Sequence, residues 1–122
     1  MLILPAACPV DYSLCRQTVT VYHADGENCT RMVYKRAFLD FRKTETTSKT
    51  GSREANGFLL VIPGEGTSVY VGDKVLLGEG PPVYTREEWA GLIPSKVAGL
   101  VVVKYVDPKY WNGRQVHVEA GG

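Results

Sequence analysis

The chain has 122 residues, 44% of them apolar and 22% charged, and its 14 Lys and Arg against 13 Asp and Glu leave a net charge of +1. This composition excludes wholesale disorder and suits one globular domain burying roughly two-thirds of its unfolded surface. The even charge balance excludes a globally basic nucleic-acid binder, so any electrostatic role must come from local placement.

The N-terminal "MLILPAACPVDYSLC" lacks a basic leader region, and Pro5 breaks its apolar run. That run falls short of the ~20 residues that span a bilayer, so 1–15 reads as a terminal arm with no membrane role. Cys8, Cys15 and Cys29 are an odd number, which argues against a secreted disulfide scaffold and for a reducing cytoplasm.

Most of the remaining chain reads as short β-strands punctuated by Gly and Pro. Residues 16–24 alternate, with Val19 and Val21 on one face and Thr18, Thr20 and Tyr22 on the other. Asp25 to Asn28 is a turn of the Asp-Gly type. In 29–41, strict alternation groups Met32, Tyr34, Arg36 and Phe38 opposite Val33, Lys35, Ala37 and Leu39.

The tract "RKTETTSKTGSREANG" (42–57) has one apolar side chain, Ala55, and reads as a long polar loop. Arg42, Lys43, Lys49 and Arg53 against Glu45 and Glu54 give it a local excess of two positive charges, larger than that of the whole chain. Folded back as a hairpin it would project roughly 25 Å. Weak, distributed positive charge of this kind suits transient, sequence-independent contact with phosphates.

"FLLVI" (58–62) is an apolar run expected as a central strand covered on both faces. Residues 68–78 read as strand, Gly72-Asp73 kink and strand, and 79–84 as loop. Thr85 and Glu88 form a capping box for one short helix with Trp89, Leu92 and Ile93 as its apolar stripe and Pro94 as its stop. Residues 100–106 are β-branched strand, 107–114 an aromatic-rich turn, and 115–120 a closing strand. The expected fold is therefore all-β, a small and mainly antiparallel β-barrel or sandwich with one short α-helix, forming a single domain over 16–122.

The residues give little sign of chemistry. The cysteines lack metal-ligand spacing, and His23 and His117 lie far apart, so neither a metal nor a cofactor is expected. Cys29 with His23 or His117 is arithmetically a nucleophile and base, but no nucleophile signature surrounds it, and the chain reads as a non-enzyme without catalytic residues. His117, between Val116 and Val118, reads as solvent-facing.

The strand "TVTVYH", the tract "TETTSKTGSREANGFLLVIPG", the phrase "VYVGDKVLLGEG" and the closing "VVVKYVDPKYWNGRQVHVEAGG" follow one another in an order that resembles the minor capsid or head-closure proteins of tailed bacteriophages. The likeness covers roughly residues 16 to 122. It implies a virion protein of the neck region, made in the host cytoplasm, that assembles as a β-barrel ring between portal and tail. Its partners would be the adaptor or portal side, the tail side, other copies of itself and, transiently, packaged double-stranded DNA. In stopper members a long inter-strand loop points into the channel and helps retain DNA, which would make Arg42, Lys43, Lys49 and Arg53 channel-facing. Tyr and Trp are enriched at interface cores, so Tyr84, Trp89, Tyr105, Tyr110 and Trp111 are candidate subunit contacts. Alternatives are a tail-completion or terminator protein, another minor capsid protein, or a small barrel binding single-stranded nucleic acid by stacking bases on tyrosines.

Overall fold

The computed structural model describes residues 10–48 and 51–122, and of residues 42–48 and 51–56 it describes the backbone alone. The elements are β1 (Gln17–Asp25), β2 (Asn28–Ser48), β3 (Gly51–Pro63), β4 (Lys74–Leu77), α1 (Arg86–Ala90), β5 (Leu100–Val102), β6 (Tyr105–Trp111) and β7 (Arg114–Gly121). They form one antiparallel sheet in the order β5-β4-β1-β2-β3-β7-β6, curled into a half-barrel. The all-β architecture with one short helix is the expected one.

The two ends of that order, β5 and β6, are consecutive in the chain and separated only by Val103 and Lys104. The Val103 amide donates to Asp73 O, its carbonyl accepts from Gly72 N, and the Lys104 amide donates to Gly121 O. Residues 100–111 thus leave β4 at one edge and join β7 at the other, bridging the open side of the sheet. The interior holds Val19, Val21, Ala37, Leu39, Phe58, Leu60, Ile62, Val69, Val75, Val103, Val118 and Ala120.

A second apolar layer lies outside β1 and β4. Tyr22, Cys29, Leu76, Val83 and Leu100 pack there under Trp89, Leu92 and Val97. Loop 78–81 caps this layer: the Thr20 hydroxyl donates to Gly78 O, the Gly80 amide donates to Thr20 Oγ1, and the Tyr22 hydroxyl donates to Pro81 O. Lys74, also buried, reaches from β4 to the helix end, where its ammonium donates to the carbonyls of Trp89 and Leu92 and lies over the Trp89 ring. The strand covered on both faces is therefore β1. β3 buries Phe58, Leu60 and Ile62, while Leu59 and Val61 are half-exposed, because no helical layer covers that side of the sheet.

Several local expectations are corrected. Residues 42–48 and 51–57 extend the β2–β3 ladder without interruption, from Arg42↔Gly57 to Ser48↔Gly51, and are not an irregular loop. The register set by Leu39↔Leu60 runs on through a Thr-rich segment, and threonine favours extended backbone. The alternation across 29–41 breaks between the Val19↔Tyr34 and Gln17↔Ala37 pairs, where a bulge gives β2 an extra residue. Tyr34 accordingly packs with Ala37 and Leu39 against the core, and Lys35 and Arg36 are both exposed. Residues 107–111 belong to β6, and the turn is Asn112-Gly113 with φ of 50° and 77°, the left-handed pair that a tight hairpin requires.

In the 68–78 segment only Lys74–Leu77 pairs as a strand. Residues 100–106 split at Val103 because the chain there changes neighbours. In the helix, Thr85 Oγ1 accepts from the Glu88 amide as expected, while the Glu88 carboxylate takes its bond from the Thr85 hydroxyl. Gly91 caps the helix before Pro94 is reached, and Ile93 is exposed.

Candidate functional site

Strand directions give the body two distinct ends. β1 pairs with β2 only as far as Ala37, and β7 pairs with β3 only from Leu59 onward. The seven rungs from Arg42↔Gly57 to Ser48↔Gly51 therefore stand beyond both neighbours as a two-stranded ribbon. At about 3.4 Å per residue it is roughly 24 Å long. Arg42, Lys43 and Arg53 lie on its backbone ladder, opposite Gly57, Asn56 and Thr46 respectively. Their side chains, and Lys49 altogether, lie outside the described residues. Phe41, about half-exposed, and buried Phe58 face each other at the ribbon's root.

The opposite end gathers the 26–27 turn, the 64–73 connection and the 112–113 turn, as the pairings Asp25↔Asn28, Pro63↔His117, Tyr22↔Lys74 and Trp111↔Arg114 require. Here Asp73, 2% exposed, accepts the Tyr70 amide at Oδ2 (2.9 Å) and holds His23 Nδ1 at Oδ1 (2.6 Å). The His23 and Tyr70 rings lie 4.7 Å apart. With Val21, Thr30, Met32, Tyr34, Gly66 and Ser68 they line a cavity of about 180 Å³. Burial pushes the Tyr34 phenol up; the Ser68 amide lowers it, and the Asp73 charge raises it further.

A larger open cleft of about 520 Å³ lies between Tyr12, the 64–65 turn and the β6–β7 hairpin. At its side, His117 is 5% exposed, with Nδ1 2.6 Å from the Tyr12 hydroxyl and Nε2 3.1 Å from the Glu119 carboxylate. The expectation of a solvent-facing His117 is thus overturned, because Tyr12 of the arm lies edge-on against its ring.

Among the interface candidates, Tyr84, Tyr105, Tyr110 and Trp111 are exposed, and the last three share β6, an outer strand of the sheet. Trp89 is half-buried beside β1, donating its indole N–H to Tyr22 O. Cys29 does not meet a histidine base. Its register partner is Ala24, whereas His23 pairs with Thr30 and so lies on the opposite face of the sheet. Burial and the charges of Asp73 and Glu88 also push its thiol up, away from the nucleophilic thiolate. Among the described residues, no three His, Cys, Asp or Glu side chains converge as a metal site, and no helix is long and apolar enough to cross a membrane.

The Asp73–His23–Tyr70 group escaped sequence reasoning because its partners are 50 residues apart. The only sequence signal was the Gly72-Asp73 kink. Comparison with protein-family models, curated proteins and solved structures finds no match. The geometry defines a curled antiparallel β body with a projecting ribbon at one end and an aromatic, partly polar rim at the other.

Proposed function

We propose that this protein is a structural component of a bacteriophage head–tail connector, a head-closure or stopper subunit whose ribbon reaches toward the DNA channel. The observation that carries this reading is the seven-rung ribbon standing beyond its neighbouring strands. Isolated two-stranded ribbons are marginal in water, so a chain that extends one this far gains most when other molecules surround it. A ring of copies would supply such surroundings, and the resemblance of residues 16–122 to head-closure proteins points to the same arrangement. The segment 42–57 carries Arg42, Lys43, Lys49 and Arg53 with only two acids among them. That modest excess favours passing phosphate contact over tight binding, since each added contact brings salt-sensitive affinity that would hinder DNA exit.

Partners on this reading are the portal or adaptor side, the tail side and neighbouring copies, met through Tyr105, Tyr110 and Trp111 on β6 and through Tyr84, all in the virion neck. Base stacking on Tyr34 and Tyr105 is disfavoured. Tyr34 packs into the interior cluster, and Tyr105 lies across Gly121 on the outer face.

The test is a virus whose gene lacks codons 43–56, with the body's folding checked by circular dichroism on the purified variant. The expected result is heads that lose DNA or fail to join tails. A normal yield of infectious particles with full genomes would refute the proposal.

A further inference from the structure

The cavity at the end remote from the ribbon has a composition that the proposed connector role does not use. Its most buried carboxyl group is that of Asp73, and among the described residues no Lys or Arg lines the cavity. Lys74, next in sequence, points to the other side of β4 and is held by the Trp89 and Leu92 carbonyls. Asp73 is instead bonded to the Tyr70 amide and to His23. The ring nitrogen that faces the carboxylate is Nδ1, so Nε2 is the one turned away from it. Among the described residues Nε2 has no partner. The rings of Tyr34, Tyr70 and His23 line the cavity, and Met32 and Tyr70, both more than half-exposed, stand at its rim.

We propose that this cavity binds the cationic head of a lysine or arginine side chain presented by a protein partner. Three features converge on that class. A buried carboxylate with no Lys or Arg among the described lining residues disfavours phosphates and carboxylates. Aromatic faces attract ammonium and guanidinium groups, most strongly where water is excluded. The exposed Met32 at the rim offers a surface for an aliphatic stem. Burial first, and the Asp73 charge after it, push the Tyr34 phenol and the Cys29 thiol up. The inference stands on this end of the molecule alone and does not depend on the phage reading.

The test titrates the isotope-labelled full chain with N-acetyl-arginine amide and, in parallel, with N-acetyl-citrulline amide, its neutral isostere. Saturable shifts at His23, Tyr70 and Asp73 are expected with the arginine compound, with citrulline about tenfold weaker or worse. Asp73→Asn should abolish that preference, because it replaces the carboxylate by an uncharged amide of the same shape. Tyr70→Ala keeps the backbone amide that Asp73 accepts, so it decides the matter if Asp73→Asn does not fold; a clear loss of affinity is expected. Equal response to the two compounds, no saturable shift, or folded variants that bind arginine as well as the parent would overturn the proposal. Titration with the unlabelled full chain identifies the source: shifts at the same signals assign the cation to a second copy, and their absence alongside arginine binding assigns it to a different protein.

Discussion

Gly80 shows how a single missing side chain organises the outer layer. Its amide donates to Thr20 Oγ1, and its carbonyl accepts from the Arg31 guanidinium, so its backbone is fixed on both sides. A Cβ at this position would collide with the Tyr22 hydroxyl and fall 2.6 Å from Leu76 Cδ2. Tyr22 is fully buried and its hydroxyl is committed to Pro81, so it cannot swing aside. Gly80→Ala should therefore cost about 1–3 kcal/mol, an overpacking penalty, measurable by urea unfolding. Gly66→Ala, where a Cβ meets nothing within 4 Å, should be close to neutral in the same assay.

Titration is legible at this scale too. Burial raises the pKa values of Cys15 and Cys29 above their ordinary 9.0, and those of Tyr22 and Tyr34 above 10.0. A raised pKa in the folded state means that the unfolded chain deprotonates first. The stability held below pH 9 is then lost as pH climbs through each folded value. Lys74 works in the opposite sense, since burial lowers its pKa from 10.5 and charging it costs the folded state most at neutral pH. With four groups against one, net stability should fall from about pH 9 upward, seen as a declining Tm in reducing buffer. A Tm flat from pH 8 to 11 would contradict this account of the core.

At the scale of elements, the ribbon and the body are separable in energy. Every residue of the interior cluster lies outside 42–57, and the ladder β1–β2 ends at Ala37. Replacing 43–56 by a short turn should lower the strand content seen by circular dichroism while leaving the unfolding midpoint within roughly 1 kcal/mol of the parent, because little apolar burial is removed. Collapse of the body after this excision would show that the ribbon supports the fold. The β6–β7 hairpin is organised differently. Its Asn112-Gly113 turn carries two positive φ values, and both strands feed the core through Val106, Val118 and Ala120.

For the whole molecule, the decisive feature is where the curled sheet is joined. Val103, 1% exposed, sits between the strand that ends on β4 and the strand that begins on β7, and its backbone is bonded to the 72–73 turn. Truncating it leaves a void at the seam between the two edges. Val103→Ala should cost about 2 kcal/mol, at the lower end of large-to-small core changes. Near- and far-ultraviolet signals should shift together, since one interior cluster links all the long strands. Separate transitions by the two probes would show that the edges unfold independently.

The sequence by itself determined the strand-rich class, the β1–β2 turn, the Thr85 cap and the polar character of 42–57, because each depends on neighbours a few residues apart. Even the Asn112-Gly113 turn was written locally, although the aromatic residues around it disguised it. Tertiary structure alone decided that the polar tract is laddered, that β1 rather than β3 is covered twice, and that His117 is buried. It also decided that Asp73 meets His23. The ladder is itself a local hairpin, its rungs joining residues 3 to 15 apart, but nothing in its polar composition announces it; the other outcomes depend on pairings across 50 or more residues and on which side of the sheet receives a covering layer. Side-chain patterns report the preference of a segment for extended backbone or for burial, but the partner that satisfies that preference is chosen only when the sheet closes.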